Sequence, residues 1–248
     1  MKLRVTLLLV VLLAPLSARA EQIEPRQEYR SCLQMARQKP EDGWEEAIAW
    51  QSLGGGEPAR HCAAVALIGL GKYEEAARRL ESLASQSRRS EAVRAEMLAQ
   101  AGQAWLLAGK PELALAAQDT GLQLVPGLPD LLLDKAVTLA QVNHYQEVVG
   151  VLDTLLKAQP SRVEALTLRA SAYRYLDKLD LAKADIARAL VLDPVFPDAL
   201  LERGMIRRLE DNPAGAREDW LKAINLAPES AAADTARRNL EMLDVKVK

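Results

Sequence analysis

Four prolines, Pro126, Pro160, Pro194 and Pro228, stand at an equal spacing of 34 residues. Each closes a segment with helical spacing of apolar residues: "LALAAQDTGLQLVP", "VVGVLDTLLKAQP", "LAKADIARALVLDP" and "GAREDWLKAINLAP". Proline just past a helix stops it, because the ring removes an N–H and pushes the preceding residue out of the helical region. Stops on an equal ruler mean that one structural unit recurs. Units of roughly 20–50 residues fold by stacking on one another.

The positions between the stops align as well. Twelve residues before each proline stand Ala114, Val148, Ala182 and Ala216, and 24 before stand Gly102, Ala136, Ala170 and Gly204. Five before stand Gly121, Leu155, Ala189 and Ala223. Small residues at these slots let two helices approach closely within a unit. Leu98, Leu132, Leu166 and Leu200 fill one helix, and Leu152, Ile186 and Trp220 fill the other, with Gln118 as a departure at that slot. Aromatics make up only 4% of the chain, and no clear period-two pattern marks a strand. The chain reads as all-α.

The stretch "ALTLRASAYRYLDKLDLAKADIARALVLDP" places Leu166, Ala170, Tyr173, Ala182, Ile186, Ala189 and Pro194 at recurring slots. This resembles the tetratricopeptide repeat, a helix–turn–helix unit of 34 residues. The family's first-helix tryptophan is leucine here throughout, and its tyrosine appears only at Tyr173. The resemblance implies a right-handed superhelical solenoid of antiparallel helix pairs. Residues 95–228 carry four regular repeats (95–128, 129–162, 163–196 and 197–230, the last running into the cap). Residues 21–94 form divergent pairs: Gly71, Tyr73 and Ala76 mark one, and "PEDGWEEAIAW" with Ala47 marks another. Gly71 and Gly109 lie 38 residues apart, four more than the period, and a polar loop over 85–91 is expected to hold the surplus. Six pairs thus span about 28–228. Within 231–248, Ser230 caps a final helix that turns Ala233, Ala236, Leu240 and Leu243 inward.

The chain opens with Lys2 and Arg4, an apolar run from Val5 to Leu13 broken only by Thr6, and Ala18-Arg19-Ala20. These are the parts of an export signal at 1–20, cleaved after Ala20. The run is too short to span a bilayer, which takes roughly 20 residues, and this disfavours an uncut membrane anchor. Nothing later in the sequence approaches a membrane span. The periplasm is the expected compartment. Cleavage removes three cations and no acid from a chain of formal net charge −2. A mildly acidic protein has no electrostatic hold on a polyanion, so nucleic acid is not an expected partner.

"WQSLGGGEPARHC", Trp50 to Cys62, raises the question of chemistry. A phosphate loop needs a strand, a Gly-Lys-Ser/Thr ending and a helix, none of which is here. In the repeat register Gly54 to Gly56 join one pair to the next, and Pro58 lies in the opening turn of a helix. The chain holds two histidines, His61 and His144, too few and too far apart for a metal site. A thiol enzyme or metal site at His61 and Cys62 is the weaker alternative, because adjacent helical side chains diverge by about 100°. His61 is expected on the concave surface as an ordinary polar residue, and His144 in a turn. Cys32 and Cys62 occupy nearly equivalent slots of adjacent first helices, which pack side by side in the family. In an oxidising compartment they form a disulfide; two buried free thiols are the alternative.

The resemblance places the first helices along a concave groove that takes an extended peptide or a partner helix. Its slots fall on Gln103, Leu106, Leu133, Val137, Thr167, Ser171, Arg174, Tyr175, Leu201, Met205 and Arg208. Arg174 and Arg208 are expected to grip an acidic residue of the ligand, or else to pair with acids of the protein itself. The reading is a non-catalytic periplasmic scaffold for another protein, without cofactor. Self-assembly through the groove is an alternative. Mass spectrometry of exported protein is expected to find Glu21 at the amino terminus; a chain still beginning at Met1 contradicts the cleavage.

Overall fold

The computed structural model describes residues 25–245, and the expected export signal with its expected cleavage point lies outside them. Thirteen α-helices and no strand make up the described residues. They form six antiparallel pairs: α1 (Pro25–Gln38) with α2 (Pro40–Ser52), α3 (Gly56–Gly69) with α4 (Tyr73–Gln86), α5 (Glu91–Leu107) with α6 (Pro111–Leu124), α7 (Pro129–Gln141) with α8 (Tyr145–Ala158), α9 (Val163–Tyr175) with α10 (Leu179–Leu192), and α11 (Pro197–Leu209) with α12 (Pro213–Leu226). A last helix, α13 (Ala231–Val245), covers the open end. Each helix packs on the next, and α1, α5, α7, α9 and α11 also touch the following first helix or the cap. The protein is an all-α solenoid.

The turns inside five of the pairs share one geometry. Gly71, Gly109, Asn143, Asp177 and Asp211 hold positive φ, between 57° and 71°. Asparagine and aspartate are the non-glycine residues that best tolerate this region. The next amide bonds back to the helix five residues earlier, as in Lys72 to Leu67, Lys110 to Trp105, His144 to Leu139, Lys178 to Tyr173 and Asn212 to Arg207. The bond satisfies a carbonyl that the helix end would leave unpaired. The glycine run before α3 also turns a corner, with Gly54 and Gly56 at positive φ.

Between the two helices of a pair, small faces large. Gly204 lies against Trp220, and a Cβ at Gly204 would come within 2.3 Å of the indole. Trp220 is fully buried, and its Nε1 donates to the Leu201 carbonyl at 3.2 Å. Where the small residue is alanine, at Ala136 and Ala170, the partners Leu152 and Ile186 are smaller than tryptophan. Gln118, the polar departure, fills the equivalent space against Gly102 and donates to Thr138 Oγ1 at 2.9 Å. The bond satisfies the amide nitrogen, while the buried Oε1 has no hydrogen-bond partner and carries a desolvation cost.

Arginine–aspartate pairs recur on the same ruler. Arg169 holds Asp185 through two bonds of 2.8 Å and reaches back to Asp153, tying α9 to α10 and α8. One repeat on, Arg203 and Arg207 both pair with Asp219, which is almost fully buried. The four-residue surplus between Gly71 and Gly109 is placed differently from expectation. The loop occupies only 87–90, and α5 starts at Glu91 with one extra helical turn, capped by Ser90. Good helix formers and a capping serine make that turn helical. At the far end Ser230 Oγ accepts from the Ala233 amide and opens α13, whose Ala233 and Ala236 are buried.

Cys32 on α1 and Cys62 on α3 form a disulfide, with Cα atoms 6.1 Å apart and both side chains buried. No helix of the described residues is long and apolar enough to cross a membrane. The bridge closes a 30-residue separation, and in the chain-entropy account such a loop contributes about 3–4 kcal/mol. Reduction, or Cys32→Ser, is expected to speed amide hydrogen exchange in α1–α4 and leave α9–α12 unchanged, because stacked units stabilise mainly their neighbours.

Candidate functional site

The concave face between α7, α9 and α11 contains an open cavity of about 350 Å³. Its wall includes five of the eleven sequence-derived groove residues: Leu133 and Val137 from α7, Thr167 and Ser171 from α9, and Leu201 from α11. Leu168 and Phe196 complete the apolar part, while Glu164, Asp198 and Glu202 supply carboxylates. A second hollow, about 260 Å³, shares Val137, Leu168 and Ser171 and continues to Tyr175. The Tyr175 ring stacks on Tyr145 of α8 at 4.3 Å. The two hollows form one groove with an apolar floor.

The remaining groove positions have other company. Gln103 donates to Asp134 at 2.9 Å, bridging α5 and α7. Burial raises the pKa of Asp134; the Gln103 bond offsets part of this, and nearby Asp130 adds to it. Leu106 is half-buried beside the cluster around Trp105. Met205 accepts from Asn239 of α13 at 3.1 Å, so the cap helix covers it.

Arg174 does not wait for a ligand. Its guanidinium meets Glu202 of α11 through Nε at 2.5 Å and Nη2 at 3.3 Å, and it stacks over Tyr175. Both charged side chains of this pair are about nine-tenths buried. Burial disfavours the charge on Arg174, but the bonds from Glu202 outweigh it and raise the pKa above the ordinary arginine value. The expected grip on an acidic ligand is thus replaced, at Arg174, by an internal pair. The residue that would correspond to Glu202 one repeat later is Ala236, so Arg208 lacks the equivalent acid and makes no ion pair among the described residues.

His61 also differs from expectation. It is buried, not displayed: its Nδ1 lies 2.8 Å from the Tyr29 hydroxyl, and its Nε2 lies 2.9 Å from the Gln100 side-chain oxygen. With a carbonyl oxygen as acceptor, Nε2 carries the proton and Nδ1 receives the tyrosine's. The histidine thereby joins three first helices, α1, α3 and α5. Burial lowers its pKa, the Gln100 bond offsetting part, and Arg37 and Arg89 add to the lowering. Its neighbour Cys62 is committed to the disulfide, which leaves no thiol there for chemistry. His144 stands in the turn before α8, beside Glu147 at 3.0 Å.

Phe196, Glu164 and Asp198 lie at helix starts, outside the groove slots of the repeat. Asp130, Glu164 and Asp198 do sit 34 residues apart, and that signal was available. An acid in the first turn of a helix is ordinarily accounted for by the helix dipole.

The sequence profile of the tetratricopeptide repeat family matches residues 63–129 and 167–233, just over half of the chain. Among curated proteins, Cellulose synthase 2 operon protein C of Komagataeibacter xylinus is 32% identical over 133 residues, covering 48% of this chain. RNA polymerase II-associated protein 3 of Rattus norvegicus is 27% identical over 111 residues, covering 45%. The chain spans only 10% and 17% of the lengths of these two relatives. Among solved structures, MamA (41-end) from Desulfovibrio magneticus RS-1 aligns with a TM-score of 0.60 at 23% identity, over 71% of this chain and 97% of that one. At that identity the likeness is one of fold.

Replacing Arg174 by alanine would leave Glu202 buried without its cation, at a cost of about 3–5 kcal/mol. Arg208→Ala is expected to change stability by about 0.5 kcal/mol or less, since it breaks no pair. Urea unfolding of the two variants checks the contrast; equal losses would contradict the assignment of Arg174 as internally paired.

Proposed function

The chain belongs to the tetratricopeptide repeat family, and from that premise we propose that it is a non-catalytic periplasmic scaffold whose groove holds an extended peptide or partner helix. A fold of this family is a scaffold for protein–protein interaction. The observation that carries the finer reading is the continuous hollow over α7, α9 and α11. Leu133, Val137, Leu168 and Leu201 stand there without a covering element. Apolar surface gathered in a concavity, with a few polar groups beside it, is the form that ligand sites take.

The export signal supports the periplasmic part, and the Cys32–Cys62 bridge agrees with an oxidising compartment. The non-catalytic part is supported by the commitments of His61 and Cys62. One is held by Tyr29 and Gln100 and the other by a disulfide. A photo-crosslinking residue placed at Ser171 is expected to capture a periplasmic protein. The same group at Leu221, an exposed position of α12, is expected not to. Equal capture from both positions, or capture only from Leu221, would remove the groove from the proposal.

A further inference from the structure

The repeat supplies a cation at one joint and omits it at the next. Arg162, just before α9, donates to Asp130 of α7 at 3.1 Å and to Glu164 at 3.0 Å, joining acids that lie one period apart. The equivalent position before α11 is Phe196, and the equivalent acids are Glu164 and Asp198. No cation takes the missing arginine's place, and Phe196 packs against the core there instead. Asp198 makes no ion pair among the described residues, while Glu164 keeps only Arg162.

That joint is where the 350 Å³ cavity opens. Phe196 and Leu201 form its apolar side, and Glu164 and Asp198 stand with them in its wall. Thr167, nine-tenths buried, lines the same space, and its hydroxyl oxygen has no hydrogen-bond partner. Glu202, the third acid, has both oxygens engaged by Arg174. Burial raises the pKa of Asp198, its own backbone amide offsetting only part. The site is an apolar slot with two exposed acidic residues in its wall.

We propose that the groove between α7 and α11 takes a protein segment in which an arginine or lysine adjoins an apolar side chain. The basic group meets Asp198 and Glu164 where the repeat would otherwise place its own arginine. The apolar side chain lies on Leu133, Val137 and Leu201. This deepens the groove reading above and rests on it. It reverses the charge expected of the ligand from Arg174 and Arg208.

Three labelled peptides test it by fluorescence anisotropy on the intact protein at low salt: Gly-Ser-Leu-Arg-Leu-Arg-Leu-Ser-Gly, and the same peptide with glutamine or glutamate at both arginine positions. The arginine peptide is expected to bind about tenfold or more tightly than the glutamine peptide, the range of a charge-assisted contact. The glutamate peptide should bind most weakly. Asp198→Asn should erase most of the preference while leaving the glutamine peptide and the melting temperature unchanged. Phe196→Arg should also erase it, by rebuilding the bridge seen at Arg162.

Equal or tighter binding of the glutamate peptide overturns the proposal, as does a preference that survives Asp198→Asn. Ser171→Trp fills the groove and separates the two levels of inference. If it abolishes binding of all three peptides and they bind equally, the groove stands and the basic subsite falls. If the arginine preference survives Ser171→Trp, or if no peptide binds at millimolar concentration, both fall. Concentration-dependent dimerisation that Ser171→Trp abolishes would give the groove to a second copy of the chain and overturn the proposal as well.

Discussion

The solenoid depends on two helices approaching more closely than ordinary side chains permit. At the crossing within each regular pair, Gly102, Ala136, Ala170 and Gly204 face Gln118, Leu152, Ile186 and Trp220. The contact leaves little slack, because interiors pack near crystal density and an added methylene is felt. Pair geometry is thereby set, and with it the angle at which the next pair can stack. The concave face follows from this, since first helices are aligned only as well as their own pairs are.

Charged groups do a different task at the same joints. Arg169 and Arg203 brace first helix to second through Asp185 and Asp219, whereas Arg174 braces one first helix to the next through Glu202. Such pairs are weak evidence for stability, since desolvating both charges offsets much of their attraction. Their geometric effect is firmer: a bidentate arginine admits few orientations of its partner. Arg174, Glu202 and the Tyr145–Tyr175 stack hold one wall of the groove in a single shape. At the other end of the molecule His61 gives the same service among α1, α3 and α5, where the disulfide already ties two of them.

The period, the helix pairs and the small-residue contacts were legible because each is a local pattern repeated at fixed spacing. The turn residues repeat too, although glycine in two turns and asparagine or aspartate in three conceal their shared backbone conformation. What was not legible needed partners from different helices. Arg174 and Glu202 are 28 residues apart, off the 34-residue ruler, so counting slots on one helix does not choose between a ligand and an internal acid for the arginine. His61 read as a surface residue because nothing in its own helix shows that Tyr29 and Gln100 close over it. The surplus before α5 was assigned to a loop because polar residues suggest one, yet a serine cap and a run of helix formers extend a helix equally well.

A repeat protein is therefore informative where it stops repeating. Residues that recur maintain the stack and carry little information about a partner. At Gln118 the departure is buried inside its own pair; the amide nitrogen donates to Thr138 and Oε1 has no partner. At Ala236 the departure removes an acid that Arg208 would have used, and the cap helix covers Met205 beside it. At Phe196 the departure removes a cation, and no neighbouring residue compensates; the same joint holds the cavity and the unpartnered Thr167 hydroxyl. At this joint the exchange gives the stack apolar packing, since Phe196 lies against the core, and leaves Asp198 without an ion pair among the described residues. On the groove reading proposed above, that unpaired acid is left for what the groove receives.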